Sequence, residues 1–264
     1  MINALVGAHI LVTRPAHQAE NLCQLINHCG GRAVRFPTID IVGVSPTINP
    51  AKFGLAATNA LPQLSKYQWL IFTSANAVNF ALAANGGKID EFKATQIASI
   101  GQATARELEH SGLTVNLLPE SGFDSEALLA MPQLQDVKGQ DILIVRGQGG
   151  REELANTLMQ RSANVDYWEV YQRVIPKIDK TAVTALIEQN VVDATIITSC
   201  EGLQNLSVML GVDCINKLSP VPLVVISDRI RKLAAGLGFT RITVTENPSD
   251  TAILEAAIAI INGE

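Results

Sequence analysis

The sequence has four cysteines, and their spacing does not suit the usual cysteine-based sites. Cys23 and Cys29 stand six apart on a predicted helix, on different faces, while Cys200 and Cys214 are remote from them. None belongs to a C-x-x-C pair, so neither a zinc site nor a disulfide framework is predicted. We expect four reduced, buried thiols, as is usual in a cytoplasmic protein.

Other chemical signatures are missing too. The four histidines show no metal-ligand spacing, and no pair of carboxylates is marked out by its spacing. The glycines from Gly147 to Gly150 do not form G-x-G-x-x-G, because Glu152 holds the third glycine position, and no G-x-x-x-x-G-K-[ST] loop occurs. We therefore expect no metal and no nucleotide cofactor. Acid–base chemistry would have to come from hydroxyl groups or water.

Charge is sparse and mildly acidic. Charged residues make up 17% of the chain, the formal net charge is -5 and the pI is about 5.4. Such a chain lacks the basic face that nucleic acids require, so no nucleic-acid partner is expected. The longest apolar run near the end, Ala256–Ile261, is far shorter than the ~20 residues that span a bilayer. Residues 1–7 lack the basic start of a signal peptide, so we expect no membrane association and no export.

What the chain does contain is a strand–turn–helix unit that occurs twice. Residues 141–145 form a short apolar strand, residues 146–151 a turn with glycines and two arginines, and Leu154 and Leu158 the spacing of a helix. The stretch from His9 to Pro15 repeats this plan at an offset of 132 residues. With 264 residues, the chain is long enough for two domains.

Later landmarks recur in the same order. Each is an apolar strand followed by a small polar turn: 69–72 before Thr73-Ser74, 97–100 before Gly101, 194–197 before Thr198-Ser199, and 223–226 before Ser227. We infer an internal duplication. Since strands alternate with helices, the fold class is α/β, with two parallel-sheet domains of the flavodoxin or Rossmann kind.

Polar turns at the ends of parallel strands indicate the binding site. Ligands of open parallel sheets bind beyond the carboxyl ends of the strands, where helix N-termini favour anions. The predicted binding residues are Arg14, Thr73, Ser74, Asn76, Gly101, Thr104, Ser125, Arg146, Gly147, Gly150, Arg151, Thr198 and Ser199. The alternative is that the hydroxyl residues only cap helices, with Asp124 or Ser125 as the cap of a helix over 126–131.

Tyr171 is the candidate for acid catalysis. It matches Ile39 of the other repeat, so it changes an apolar position into a polar one. A tyrosine, with a reference pKa near ~10, is protonated at neutral pH and can donate a proton. The alternative is a half-buried strand tyrosine without a chemical role.

Five segments together resemble one family. They are ILVTRP at 10–15, FTSANAV at 72–78, IGQATA at 100–105, LIVRGQGGRE at 143–152 and VYQR at 170–173. In this order and spacing they resemble uroporphyrinogen-III synthase over essentially the whole chain. The resemblance implies an enzyme, a cyclising hydro-lyase of haem and porphyrin biosynthesis without cofactor or metal. It closes hydroxymethylbilane into uroporphyrinogen III, inverting the last pyrrole ring with loss of water.

The resemblance also implies an architecture. One domain comprises 1–36 with 174–264, the other 37–173, and a two-stranded antiparallel ladder of about 34–42 and 168–176 joins them. The tetrapyrrole lies in the cleft, held mostly by backbone amides and hydroxyls, while Tyr171 assists departure of its hydroxyl. We expect a monomer with a small-molecule substrate, in transient contact with the preceding pathway enzyme.

Two positions depart from the family pattern. Residues 227–230 replace a second G-x-x-T-A turn, so only Arg229 is carried over there, as a substitute cation. Ser162-Ala163 replaces a common Gly-Ala and affects a turn. A rival interpretation from another class is a non-catalytic two-domain protein that binds a polycarboxylate or tetrapyrrole, which Tyr171 and the intact Thr-Ser turns argue against.

Overall fold

The computed structural model describes residues 3–50, 61–122 and 124–263, with the backbone alone for 46–50. The predictions for the N-terminal segment and for the two domains therefore lie partly outside this range, at residues 1–2, 51–60, Phe123 and Glu264. The chain divides into two compact units, of which unit 1 comprises residues 1–40 with 174–264 and unit 2 comprises 41–173. The first crossing between the units lies four residues beyond the predicted boundary at 36/37.

Ten strands alternate with eleven α-helices over the described residues. The strands are β1 His9–Val12, β2 Arg32–Arg35, β3 Asp40–Pro50, β4 Trp69–Phe72, β5 Gln96–Ser99, β6 Asp141–Gly147, β7 Asn164–Val174, β8 Val192–Ile197, β9 Leu223–Val225 and β10 Ile242–Val244. The helices are α1 Ala16–His28, α2 Ala75–Ala84, α3 Asp90–Lys93, α4 Gln102–His110, α5 Ser125–Ala130, α6 Glu153–Gln160, α7 Thr181–Glu188, α8 Cys200–Leu210, α9 Val212–Leu218, α10 Asp228–Gly236 and α11 Asp250–Asn262.

Unit 1 is built on a parallel five-stranded sheet with the order β10-β9-β8-β1-β2. Taken in chain order within the unit, this is the 2-1-3-4-5 arrangement of flavodoxin-like folds. Connections change direction between β1 and β8, so a crevice is expected at their carboxyl ends.

Unit 2 repeats this arrangement. Its sheet has the order β3-β7-β6-β4-β5, and a single parallel bridge from Ala98 to Leu117 stands where β10 does in unit 1. By the sequence repeat, β6 corresponds to β1, β7 to β2, β4 to β8 and β5 to β9. The predicted duplicated α/β fold is thereby confirmed, and the equivalent crevice of unit 2 lies between β4 and β6.

Each sheet is covered on both faces because successive strand residues point to opposite sides. In β1, Leu11 belongs to the core beneath α7, α8, α9 and α10, whereas Ile10 and Val12 belong to the core beneath α1 and α11. In β6, Leu143 and Val145 pack under α2, α3 and α4, while Ile142 and Ile144 pack under α5 and α6. Burial of both faces accounts for the near-continuous apolar runs of these strands.

Residues 34–42 do not form the one strand that was predicted for the linker. β2 ends at Arg35, and Thr38 turns inward, its amide donating to Thr13 O (3.0 Å). β3 then begins at Asp40 and lies beside β7 at the edge of the sheet of unit 2. The antiparallel ladder between the linkers stays a prediction.

Candidate functional site

A cavity of about 430 Å³ opens at the carboxyl ends of β4 and β6, within unit 2. Its walls combine hydroxyl, guanidinium and glycine groups with a few apolar side chains. The lining residues are Thr73, Ser74, Ile100, Asp124, Ser125, Ile144, Arg146, Gly147, Gln148, Gly149, Gly150, Arg151, Leu154, Tyr171 and Arg173. The site therefore lies at the position that the sheet topology favours for a ligand.

Arg146 shapes the loop that follows β6. The residue is 5% exposed, and its guanidinium donates to the carbonyl oxygens of Gly147 (Nε, 3.1 Å), Gly150 (Nη2, 2.7 Å) and Arg151 (Nη1, 3.2 Å). It also lies 4.4 Å above the Tyr167 ring and 3.9 Å from Glu169 Oε1. Three of its N–H groups thus serve the protein itself, which favours a positioning role over the predicted role as a substrate ligand.

Gly147 makes room for Tyr171. A Cβ at Gly147 would stand 2.5 Å from two atoms of the Tyr171 ring, so no other residue fits there without displacing it. Tyr171 also stacks on Phe80 with ring centroids 5.7 Å apart and an interplanar angle of 30°. The Phe80 ring in turn lies against Gly43, where a Cβ would be 3.2 Å away. The tyrosine ring therefore contacts both a glycine backbone and a second ring.

A bulge in β7 directs the Tyr171 side chain. The register between β6 and β7 shifts after Arg146, which pairs with Glu169, so that Gly147 pairs with Tyr171 and Val170 becomes the extra residue. Val170 and Tyr171 consequently belong to the same core, although strict alternation would put them on opposite faces. Bulges are known to re-aim side chains at functional sites in this way.

Ser74 joins this tyrosine to a helix. Its Oγ lies 3.2 Å from the Tyr171 Oη, and it also accepts a hydrogen bond from Ala77 N (3.1 Å) as the N-cap of α2. Neighbouring Thr73 is half-buried and directs its amide and its Oγ1 to Val145 O, at 3.2 and 3.3 Å. Ser74 thus combines the two predicted alternatives, a cap and a residue of the cavity.

Charged side chains contribute to the lining of the cavity. Asp124, rather than Ser125, is the N-cap of α5, accepting from Ala127 N at 2.8 Å, and Ser125 lines the cavity from the first turn of the helix. Exposed Arg151 and Arg173 contribute two further guanidinium groups. With one carboxylate against three arginines in its lining, the cavity suits an anionic ligand.

Three of the binding residues predicted in unit 2 do not line this cavity. Asn76 lies in the first turn of α2, Gly101 is the N-cap of α4, and Thr104 is 5% exposed on that helix. The backbone of Gly101 adopts an extended conformation, and its carbonyl accepts from Ser99 Oγ at 2.8 Å. Their assignment as ligands stays a prediction.

The predicted residues of unit 1 lie at the corresponding crevice between β1 and β8. Arg14 forms an ion pair with Asp250, whose second oxygen accepts from Asn21 Nδ2 at 2.7 Å. Ser199 is the N-cap of α8, accepting from Gly202 N at 2.9 Å, and Thr198 precedes it, half-buried. The Arg14 guanidinium is therefore already partnered by a carboxylate, which a substrate anion would have to share.

One prediction about the thiols is wrong. Cys23, Cys29 and Cys214 are buried as expected, but Cys200 is only partly buried. It occupies the first position of α8, just beyond the carboxyl end of β8, where it packs against the border of a core rather than within it. There Arg229 Nε lies 3.3 Å from its sulfur, so the predicted substitute cation contacts a cysteine.

The family model described as uroporphyrinogen-III synthase HemD matches residues 20–255. The chain belongs to the uroporphyrinogen-III synthase family. The uroporphyrinogen-III synthase of Escherichia coli (strain K12) is 32% identical over 249 residues, which covers 94% of this chain and 98% of that protein. That of Salmonella typhimurium is 33% identical over 254 residues, with the same coverage.

Solved structures agree on the fold. A mutant uroporphyrinogen III synthase from Thermus thermophilus superposes with a TM-score of 0.61 at 14% identity, covering 97% of this chain and 100% of that one. The Helicobacter pylori synthetase gives a TM-score of 0.59 at 14% identity, covering 96% and 99%. In the described part of this chain, no helix combines the length and apolarity needed to cross a bilayer.

Several residues that line this family member's cavity, or that pack behind its Tyr171, escaped the sequence reasoning. Arg173 lines it two residues after Tyr171, and such i, i+2 pairs share a face of a strand, which is the signal that could have found it. Phe80 and Gly43 carry no such signal, because their contact with each other and with Tyr171 joins distant parts of the chain. Gln148 stands between two glycines and was not predicted as a site residue, although its backbone N–H donates to Tyr171 O at 2.8 Å.

Proposed function

We propose that this protein closes hydroxymethylbilane into uroporphyrinogen III, with inversion of the last pyrrole ring and loss of water, as a cyclising hydro-lyase. The observation that supports this most directly is the Tyr171 hydroxyl, held beside Ser74 in a cavity whose charged groups are mostly cationic. A proton donor next to guanidinium groups is what a substrate with many carboxylates and a leaving hydroxyl requires.

Tyr171 acts as the general acid in the first step. Its proton passes to the oxygen of the substrate's hydroxymethyl group as the carbon–oxygen bond breaks, and the bonding electron pair leaves with that oxygen as water. The lone pair of the pyrrole nitrogen stabilises the electron-deficient methylene carbon that remains. Attack by the substituted carbon of the last ring on the methylene carbon forms a carbon–carbon bond and a spiro centre. The bond from that centre to the neighbouring bridging methylene then breaks, with its electron pair returning to the last ring, and re-forms at the unsubstituted α-carbon of that ring. That carbon then loses its proton, which restores the phenol.

The remaining residues hold the chain in the geometry for inversion. Arg151 and Arg173 are exposed at the cavity and pair with substrate carboxylates. Arg146 donates to the carbonyl oxygens of Gly150 and Arg151. In a trans peptide the N–H points opposite to the C=O, so the N–H groups of these two peptides point away from Arg146. These amides lie just before α6, where the helix dipole favours anions.

Product analysis tests this proposal. The purified chain, without added metal or cofactor, is incubated with hydroxymethylbilane, and the oxidised products are separated by chromatography. We expect the type III isomer, whereas spontaneous closure gives type I. Type I alone, at the uncatalysed rate, would contradict the proposal and favour a protein that only binds the tetrapyrrole.

The role of the tyrosine is tested separately with Tyr171→Phe. The ring and its stacking on Phe80 are retained, so the fold should persist, while the rate of type III formation should fall by roughly 10²–10⁴, as is typical of general acid–base groups. A fully active variant would leave the enzyme but remove this role from Tyr171.

A further inference from the structure

We propose that Ser74 is a positioning residue that acts through Tyr171, donating its hydroxyl hydrogen to the tyrosine oxygen so that the phenol proton faces the substrate. This rests on the proposed function and deepens it, because it assigns to a predicted substrate ligand a different task in the same site. The juxtaposition that carries it is the 3.2 Å approach of Ser74 Oγ to Tyr171 Oη.

Either hydroxyl can donate in this contact, and the other hydrogen bond of Ser74 leaves it able to do so. Its Oγ already accepts from Ala77 N at 3.1 Å as the cap of α2. A hydroxyl has one hydrogen and two lone pairs, so the group that receives the Ala77 amide can still donate its own hydrogen. When Ser74 donates to Tyr171, the phenol hydrogen is not bonded to the serine and can point into the cavity.

The same arrangement supports the tyrosine after proton transfer. A phenolate accepts stronger hydrogen bonds than a phenol, so the Ser74 hydrogen bond strengthens as negative charge develops on the oxygen. Behind Ser74 stands the N-terminus of the ten-residue helix α2, whose dipole also favours negative charge. Stabilisation that grows during the step lowers the barrier rather than improving substrate binding.

The position of the tyrosine ring is determined by its neighbours, not by Ser74. The ring packs closely on the Gly147 backbone and stacks on Phe80. Removal of the serine hydroxyl should therefore leave the ring in place and delete only the hydrogen bond. This makes Ser74 suitable for a clean substitution.

The main test is Ser74→Gly beside Ser74→Thr, each in the wild-type and Tyr171→Phe backgrounds. Glycine is nearly as good an N-cap as serine, so α2 should persist without the hydroxyl, and threonine keeps both functions. We expect Ser74→Gly to lower kcat about tenfold or more with KM almost unchanged, since a hydrogen bond to a charged group is lost. Ser74→Thr should restore most of kcat.

The double variant distinguishes the mechanisms. If Ser74 acts through the phenol, Ser74→Gly should have almost no further effect once Tyr171→Phe has removed the oxygen, a clear departure from additivity. Ser249→Ala, which removes a cap from α11 outside the site, controls for lost stability and should keep kcat. The inference is overturned if Ser74→Gly raises KM at constant kcat, or if its effect is equal in both backgrounds. Either result leaves type III formation by the wild-type chain, and with it the proposed function, intact.

Discussion

Gly147 has no side chain because the Tyr171 ring occupies the space where one would stand. The two residues are neighbours only through the bulge in β7, which pairs Gly147 with Tyr171. A glycine in a turn between a strand and a helix is usually explained by its backbone freedom. Here the requirement is steric, since a Cβ would lie 2.5 Å from the ring.

Gly147→Ala should therefore damage catalysis more than folding. The added methyl group would push the tyrosine ring away from Ser74, and overpacking of this kind costs roughly 1–3 kcal/mol of stability. We expect kcat to fall at least tenfold while the chain still folds, as measured by kinetics beside thermal unfolding. Gly149→Ala is a poor control because of its positive φ, whereas Gly236→Ala on α10 has open space and should be neutral in rate.

Arg146 raises a different question at the same scale, namely whether its charge or its fork of donors is needed. Lysine would keep the charge but could not reach three carbonyls of one loop. We expect Arg146→Lys and Arg146→Met to raise KM to a similar degree, roughly tenfold or more, because carbonyls left without donors reshape the loop. A lysine variant close to wild type would instead indicate direct pairing of Arg146 with the substrate.

At the scale of elements, the two copies of one helix end differently. After α1 the chain turns at Gly30, with φ of +86°, and after α6 it turns at Ser162, with φ of +66°. These positions correspond at the repeat offset of 132. Helices commonly end at a residue in the left-handed conformation, and glycine is the residue best suited to it.

Ser162→Gly should consequently stabilise unit 2. The left-handed conformation costs a residue with a Cβ about 1–2 kcal/mol, from which about 0.5–1 kcal/mol is offset by the greater chain entropy of glycine. We expect a net gain on the order of 0.5–1 kcal/mol, visible as a higher Tm with unchanged kinetics. The reverse change, Gly30→Ser, should lower the Tm, and also brings a Cβ 3.0 Å from the Val6 side chain. Equal Tm values for both variants and wild type would contradict this account.

At the scale of the whole molecule, the two units share a topology but not their aromatic residues. Both tryptophans, Trp69 and Trp168, and all three tyrosines belong to unit 2. Burial, together with the hydrogen bond to Asp166, raises the pKa of Tyr67, and burial raises the pKa of Tyr167 against the opposing effect of Arg146. Unit 2 therefore carries two phenols whose protonated form the fold favours, while in unit 1 burial raises the pKa of the Cys23 thiol in the same direction.

The direction of this pH dependence follows from the raised pKa values. The folded chain favours the protonated form of these phenols. Their contribution to stability is therefore complete at a pH below ~10, the pKa of a tyrosine in the unfolded chain, and is lost as the pH rises above that value. We expect the Tm from tryptophan fluorescence, which reports unit 2, to fall above about pH 10 further than the Tm from far-ultraviolet circular dichroism. Tyr67→Phe should reduce the difference, and coincident curves for both probes at every pH would contradict it.

The amino-acid sequence by itself determined the fold class, the duplication and the ends of the strands at which the candidate cavity opens. These features depend on local patterns: apolar runs of strand length, helical spacing and polar turns repeated at a constant offset. The five family segments and Tyr171 are equally local, which is why they could be recognised without a structure.

Only the tertiary structure decided which partner each polar side chain takes. Arg146 was predicted to bind substrate, yet it donates to three carbonyls of its own loop, and Arg14 pairs with Asp250, 236 residues away. The stacking of Phe80 on Tyr171 and the bulge that turns Tyr171 toward Ser74 likewise join distant segments. A donor's partner depends on atoms brought within about 3 Å by the whole fold, and no periodicity along the chain records that distance.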